Sequence, residues 1–313
     1  MQKVTLSNQL NELELTKITM GDNGMGNPKR RPHAIELFEK YLEMGGNSFD
    51  TARMYNAGLS EKNFAPFLKE HRDKMVLVTK CAHHNVITKR KRVSGSCISH
   101  DVHKSLRALK TDCLDVLLLH RDNCKMPVSK IMPTLDRLVK DGKVRIIGAS
   151  NWSVARIQEA NDFAKENGLT PFSVSQINYS LAYSTPPVSR DTTHVMMNNI
   201  EYEWYQEENM PVMAWSPQAK GFFSQYLNGS VKKGPQQRYG WSNENKRRAQ
   251  RLQQLSVELN VPIGTLVISY LTSQPIDVIP VCGASNMAQF DEVMLADKVK
   301  LSPEQLAFLE KSM

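Results

Sequence analysis

What most limits the fold of this chain is a rhythm. Short, nearly continuous apolar runs alternate with stretches whose apolar residues recur at helical spacing. The runs are NSFDT, MVLVTK, CLDVLLLH, Val144–Gly148, Phe172–Ile177, MPVMAW and IDVIPV. Between them, Pro32–Met44 reads as a helix opened by a proline and closed by Gly45 and Gly46. Further helices are expected at about Ser60–Glu70, Ser99–Lys110, Val128–Lys140, Asn245–Leu259, Ile263–Ser273 and Met287–Ala296. Another spans Ser153–Glu166 with Gly168 as its C-terminal cap, and a last one opens at Ser302, Pro303 and Glu304. Residues 1–21 hold two alternating patches, VTLSNQL and LELTKITMG, suited to a hairpin or a first strand. Two segments interrupt the rhythm: a long loop over residues 184–200 that leads to a helix, and an insertion from Ser216 to about Glu244.

Strands apolar throughout belong to parallel sheets covered by helices on their faces. Eight strand-helix units favour closure, so the expected fold is α/β, a (β/α)8 TIM barrel with long loops at its C-terminal face. A chain of 313 residues could also hold two ordinary domains. No linker divides it, and one barrel domain across residues 1–313 is expected. Apolar content of 41% and charged content of 23% are those of a soluble globular protein. No apolar run is long enough to span a bilayer, and the first residues lack the apolar core of a secretory signal, so a cytoplasmic protein is expected. The five cysteines form no CxxC pair, which argues for reduced thiols rather than a disulfide or zinc framework. Lys and Arg number 40 against 32 Asp and Glu, a formal charge of 40 − 32 = +8 that favours anionic partners. The densest basic run, Thr88–Arg92 (TKRKR), carries no nucleic-acid-binding signature and reads first as a solvated loop.

On such a barrel, chemistry sits at the carboxyl ends of the strands. Asp50, Tyr55, Lys80, His120, Asn151, Gln176 and Trp215 all fall at or just beyond those ends. Each has an innocent reading: Lys80 with Asp50 as a structural ion pair, His120 as a satisfied core histidine, Tyr55 as packing. Seven on one face are harder to explain that way. A free tyrosine, with a pKa of about 10, needs help to exchange protons near neutrality. An adjacent ammonium favours the phenolate and lowers that pKa, and a carboxylate beyond the lysine holds the cation in place. Tyr55 would be the general acid for carbonyl reduction and the base for alcohol oxidation, tuned by Lys80 and Asp50. His120 would polarise the carbonyl oxygen.

FDTARMY, the lysine after VLVT, the histidine after DVLLL, GASNW and IPVCGASNMAQFDE, in that order and spacing, resemble the aldo-keto reductase superfamily over essentially the whole chain. The resemblance implies a nicotinamide cofactor bound without a Rossmann domain, and no strand-turn-helix GxGxxG is present. Asp50, Tyr55, Lys80 and His120 match the family's catalytic tetrad. Ser150, Asn151 and Gln176 resemble the groups that hold the nicotinamide carboxamide, and Trp215 matches the aromatic that stacks on the ring. Ser216 to Phe223, with Ser216, Gln218 and Gly221, resembles the loop over the pyrophosphate. At the adenosine end Gln289 and Glu292 follow the pattern, and Gly283 and Ser285 stand at the matching positions.

The departures lie at that end. Many relatives carry an arginine or lysine where this chain has Ser285, and often an asparagine where it has Val293, so bidentate recognition of a ribose phosphate is lost there. NADP(H) is expected first, with NAD(H) as competitor and Lys232 or Lys233 as substitute cations. The function implied is NAD(P)H-dependent interconversion of a carbonyl, whether aldehyde, ketone or keto-sugar, and an alcohol. Polar residues His83, His84, Asn85, Arg121, Asp122 and Asn123 rim the expected pocket, which suits a sugar-like substrate. Adjacent histidines are poor metal ligands, and no metal is expected. Neither is a nucleic-acid or membrane partner, and the sequence is silent on oligomeric state. The alternative is a nucleotide-sensing or partner-binding protein on the same scaffold.

Overall fold

The computed structural model describes residues 1–184, 191–231, 239–240 and 242–311. Strands β1 (Lys3–Ser7) and β2 (Glu12–Thr16) pair antiparallel as the expected hairpin. The patch LELTKITMG then splits, and the two-residue β3 (Thr19–Met20) becomes the first barrel strand. It is followed by β4 (Ser48–Asp50), β5 (Val76–Cys81), β6 (Leu114–Leu119), β7 (Val144–Ser150), β8 (Val174–Asn178), β9 (Val212–Trp215) and β10 (Val278–Cys282). These eight strands pair in parallel in sequence order, and β10 returns to β3 to close the barrel.

The intervening helices fall close to their sequence-based positions, with local shifts. The helix expected at 99–110 begins at Gly95, because Ser94 accepts a hydrogen bond from the Cys97 amide and caps it there. The stretch 128–140 breaks into a short 3-10 turn (Val128–Lys130) and a helix (Met132–Lys140) with Pro133 in its first turn. The strand expected at 172–177 runs instead over Val174–Asn178. Within the insertion, Phe222–Leu227 is helical, while Lys232 and Lys233 lie outside the described residues. Among the described residues no single helix is long and apolar enough to cross a membrane.

Side chains along each strand alternate between two apolar clusters. One packs the outer face of the barrel against the helices and includes Phe49, Leu77, Leu117, Leu119, Ile147 and Ile177. The other fills the barrel interior with Val76, Val78, Val116, Leu118, Ile146, Val174, Met213 and Ile279. Val4, Leu6, Leu13 and Leu15 of the hairpin join this inner cluster. Asn8 donates to the Arg145 carbonyl and Ser173 to that of Ser7, near the amino ends of β7 and β8, so the hairpin closes that end of the barrel. The interior is packed below, and the carboxyl end remains for chemistry.

Candidate active site

Strand parity delivers the site. Lys80 is the next in-phase position after the inward Val76 and Val78; His120 follows Val116 and Leu118; Gln176 follows Val174; Trp215 follows Met213. The last inward side chain of each of these four strands is therefore a polar or aromatic group at the barrel mouth. Gly148 keeps the layer beneath Ser150 closed, since a Cβ there would lie 2.3 Å from the Val174 carbonyl oxygen. Three strands leave the barrel through a left-handed residue that is not glycine: Ala82 (φ 59°), Asn151 (φ 57°) and Ser216 (φ 54°). Such conformations cost of order 1–3 kcal/mol each and collect at functional sites.

The Lys80 ammonium is buried and saturated. It donates to Asp50 Oδ1 at 2.5 Å, to the Thr51 carbonyl at 2.9 Å and to Tyr55 Oη at 3.3 Å. Asp50 accepts on its other oxygen from Gln176 Nε2 at 2.8 Å. In this structure, then, the Gln176 amide, expected at the nicotinamide, is turned to the carboxylate that holds Lys80. The Tyr55 and His120 rings meet edge-on with centroids 5.8 Å apart. Asn151 donates to Ser150 Oγ at 2.9 Å, and Trp215 Nε1 donates to Asn151 Oδ1 at 3.2 Å. Asp50, Tyr55, His120, Ser150, Asn151, Gln176 and Trp215 all line one cavity of about 420 Å³.

The electrostatics correct one expectation. Burial raises the Tyr55 phenol above its ordinary value, and the nearby Lys80 ammonium pulls it back only in part. Phenol and ammonium are adjacent as expected, but desolvation outweighs the charge. Burial also works against the Lys80 ammonium, yet Asp50 and Tyr55 prevail and hold its pKa above the ordinary lysine value. Burial, aided by Lys80 and Arg121, pushes His120 well below the usual histidine range, so its ring is neutral near pH 7. Its Nδ1 is buried without a hydrogen-bond partner among the described residues.

Three further groups stand at this mouth: Asp22 and His194 escaped the sequence-based site, while Arg121 was expected on its rim. Asp22, just beyond the short β3, lines the cavity and accepts from Thr51 Oγ1 at 3.1 Å; burial raises its carboxyl. Arg121 is buried, donates to the His120 carbonyl at 3.0 Å, and lies 2.9 Å from His194 Nε2 and 3.5 Å from Asp191. The His194 ring packs at a tilt of 59° against Trp215, with ring centroids 4.7 Å apart. The position of Asp22 after a strand end was the available signal. Nothing local marks His194, which arrives from a segment 73 residues beyond Arg121.

A second cavity, a trough of about 560 Å³, adjoins the first, with Ser216 and Val281 lining both. Its lining gathers the remaining expected positions, Ser216, Gln218, Gly221, Gly283, Ser285, Gln289 and Glu292. Gln218 Oε1 accepts from the Gly283 amide at 3.3 Å, so a single hydrogen bond bridges its walls. The trough reaches the first turn of the helix Met287–Leu295, where amide groups suit a phosphate. Lys220 is the one cation among the described lining residues. A groove with amide donors that runs into a cavity walled by an indole has the chemistry to take a phosphate-bridged dinucleotide.

A sequence model described as the Aldo/keto reductase family matches residues 17–313. The chain is 26% identical over 285 residues to a norsolorinic acid reductase of Aspergillus flavus, covering 87% of this chain and 69% of the relative. It is 27% identical over 289 residues to an aryl-alcohol dehydrogenase of Pestalotiopsis microspora, covering 89% and 72%. Among solved structures, an aldo/keto reductase from Klebsiella pneumoniae in complex with NADP and acetate superposes with a TM-score of 0.71 at 22% identity, over 95% of this chain and 91% of that one.

Proposed function

Since the chain belongs to the aldo/keto reductase family and is an NAD(P)-dependent oxidoreductase, we propose that Tyr55 is its general acid and base for interconverting a carbonyl and an alcohol. The observation that carries this reading is the Tyr55 hydroxyl 3.3 Å from the Lys80 ammonium at the barrel mouth. Held above its ordinary pKa, the phenol keeps its proton at neutral pH and can give it to a carbonyl oxygen. The ammonium then stands beside the phenolate that remains, and Asp50 with Gln176 keeps it there. The neutral His120 ring orients the carbonyl. In the reverse direction the phenolate takes the alcohol proton. The nicotinamide, when bound, supplies or accepts the hydride.

Ser150, Asn151 and Trp215 would hold the nicotinamide end of the cofactor. Ser216, Gln218, Gly221, Gly283, Ser285, Gln289 and Glu292 would hold its phosphate and adenosine end. NADP(H) is our first choice, supported by the helix N-terminus at the trough and by the NADP bound in the Klebsiella structure. We take residues 1–313 to work as one barrel unit. The five unpaired cysteines support a cytoplasmic setting.

The polar wall of Asp22, His83, Arg121, Asn151 and His194 favours a hydroxylated, sugar-like carbonyl substrate. A second reading, an aryl carbonyl, is favoured by the aryl-alcohol dehydrogenase among the relatives and by Met54, Trp215 and Val281 in the same cavity. The test is loss of reduced-nicotinamide absorbance with a panel of sugars, polyol-derived aldehydes and aryl aldehydes, run with NADPH and with NADH. Turnover of polyhydroxylated carbonyls ahead of aryl ones supports the first reading, the reverse order supports the second, and no turnover of any member refutes the enzyme.

A further inference from the structure

Beside the catalytic cavity lies another of about 320 Å³, and Met54 and His83 line both. Its walls bring together the cations Arg53, Lys80, Arg92 and Lys104 and the imidazole rings of His83, His84 and His100 against a single carboxylate, Asp101. Three of the cations are spoken for, Lys80 by Asp50 among them. Arg53 pairs with the buried Glu61 at 3.1 Å, and Arg92 forms a bidentate pair with Asp101 at 2.6 and 2.9 Å. Those pairs fix the wall. Lys104 and His100, on the helix Gly95–Leu109, have no carboxylate within ion-pair distance among the described residues. Lys104 is thus the cation of this wall that no carboxylate neutralises among the described residues.

The basic run Thr88–Arg92, which the proposed function leaves unexplained, borders this cavity and lines it through Arg92. Its loop starts at His84 and Asn85, is tied back by a backbone hydrogen bond from Asn85 N to Arg90 O at 2.9 Å, and reaches across to the Asp122 carbonyl through Lys91. His84 Nδ1 is buried there without a partner among the described residues. The field of the run is felt at the mouth: burial, Arg121 and then Lys91 and Lys89 all hold the His84 ring below the usual histidine range. Arg121, buried in the adjoining cavity, has an Nε without a partner among the described residues. Cationic groups continue from one cavity into the other.

We propose that this second cavity holds the anionic end of the substrate, a carboxylate or a phosphomonoester, while the carbonyl of the same molecule reaches Tyr55 past Met54 and His83. The proposal rests on the carbonyl-reducing reading of the site and narrows it from carbonyl compounds at large to acidic ones. A positive cleft raises both the local concentration and the capture rate of such substrates, and salt weakens the effect.

The test compares kcat/KM of the full-length enzyme, with reduced cofactor, for two matched pairs: a carboxybenzaldehyde against its methyl ester, and phosphoglyceraldehyde against glyceraldehyde. At low ionic strength the anionic member of at least one pair is expected to win by on the order of tenfold, the fold-change of one partly screened ion pair. Preference in the phosphate pair alone identifies a phosphomonoester, and preference in the carboxylate pair alone identifies an acid. The ratio should fall toward one at high salt and in Lys104→Glu, an exposed position where the fold tolerates the change. It should stay at the parent value in Lys165→Glu, on the remote helix Val154–Glu166. Ratios near one in both pairs, or ratios indifferent to Lys104→Glu and to salt, overturn the proposal. Turnover of the uncharged ester and of glyceraldehyde in that same experiment would leave the carbonyl-reducing reading standing, and absence of all turnover would refute that reading instead.

Discussion

Lys80→Met separates the two roles of the buried lysine. The Lys80 and Asp50 side chains are 1% and 4% exposed, and their charges lie 2.5 Å apart. Removing the ammonium strands a buried carboxylate whose remaining side-chain donor is the neutral Gln176 amide at 2.8 Å. Breaking a buried pair from one side costs about 3–5 kcal/mol, because the abandoned charge keeps its desolvation penalty without its partner. Adding Asp50→Asn removes that charge at nearly constant volume, so the double variant should recover most of the loss. Urea unfolding followed by tryptophan fluorescence measures the cycle, and the coupling between the two changes should be large and favourable. Catalysis should not recover. Without the ammonium beside Tyr55, kcat should fall by about 100-fold or more in both variants. A double variant as unstable as Lys80→Met alone would refute the pairing argument. Parent kcat in either variant would refute the role given to the ammonium.

Other expectations follow from the same groups. Because burial holds Tyr55 above the ordinary tyrosine value of about 10, carbonyl reduction should be flat through neutral pH and fall only in the alkaline range, where alcohol oxidation should rise. Steady-state pH profiles in both directions measure this, and a reduction limb that falls between pH 6 and 8 would contradict it. His83, pushed down to about 4 by burial, and His120, pushed well below the usual range, take up protons more readily unfolded than folded. Stability should therefore be constant above the unfolded histidine value of about 6.5 and drop as the pH falls from there toward 4, as thermal melts across that window would show. Gly148→Ala would place a methyl group 2.3 Å from the Val174 carbonyl oxygen within the closed layer of the barrel. It should cost about 3 kcal/mol or more in urea unfolding, and a neutral substitution would mean that the layer is looser than its packing implies.

The barrel and most of its site were legible because both follow from period-two strands. Once MVLVTK, CLDVLLLH and MPVMAW read as strands, their terminal Lys80, His120 and Trp215 necessarily share one rim. Asp22 was hidden because β3 has only two residues and runs on from the hairpin without a break in pattern. His194 and Asp191 were hidden because a contact made across the barrel mouth by a non-periodic segment leaves no local trace. The direction of the Tyr55 shift could not be read either. It depends on how much water the folded mouth excludes, which the order of residues does not state, whereas the proximity of Lys80 does follow from strand register.

The most direct measurement is turnover of a reactive aldehyde by Tyr55→Phe, with cofactor binding followed in parallel by quenching of tryptophan fluorescence. If the phenol that lies 3.3 Å from Lys80 donates the proton, kcat should fall by about 100-fold to 10,000-fold while quenching by the nicotinamide cofactor stays at the parent level. Turnover by Tyr55→Phe at the parent rate would contradict the assignment outright.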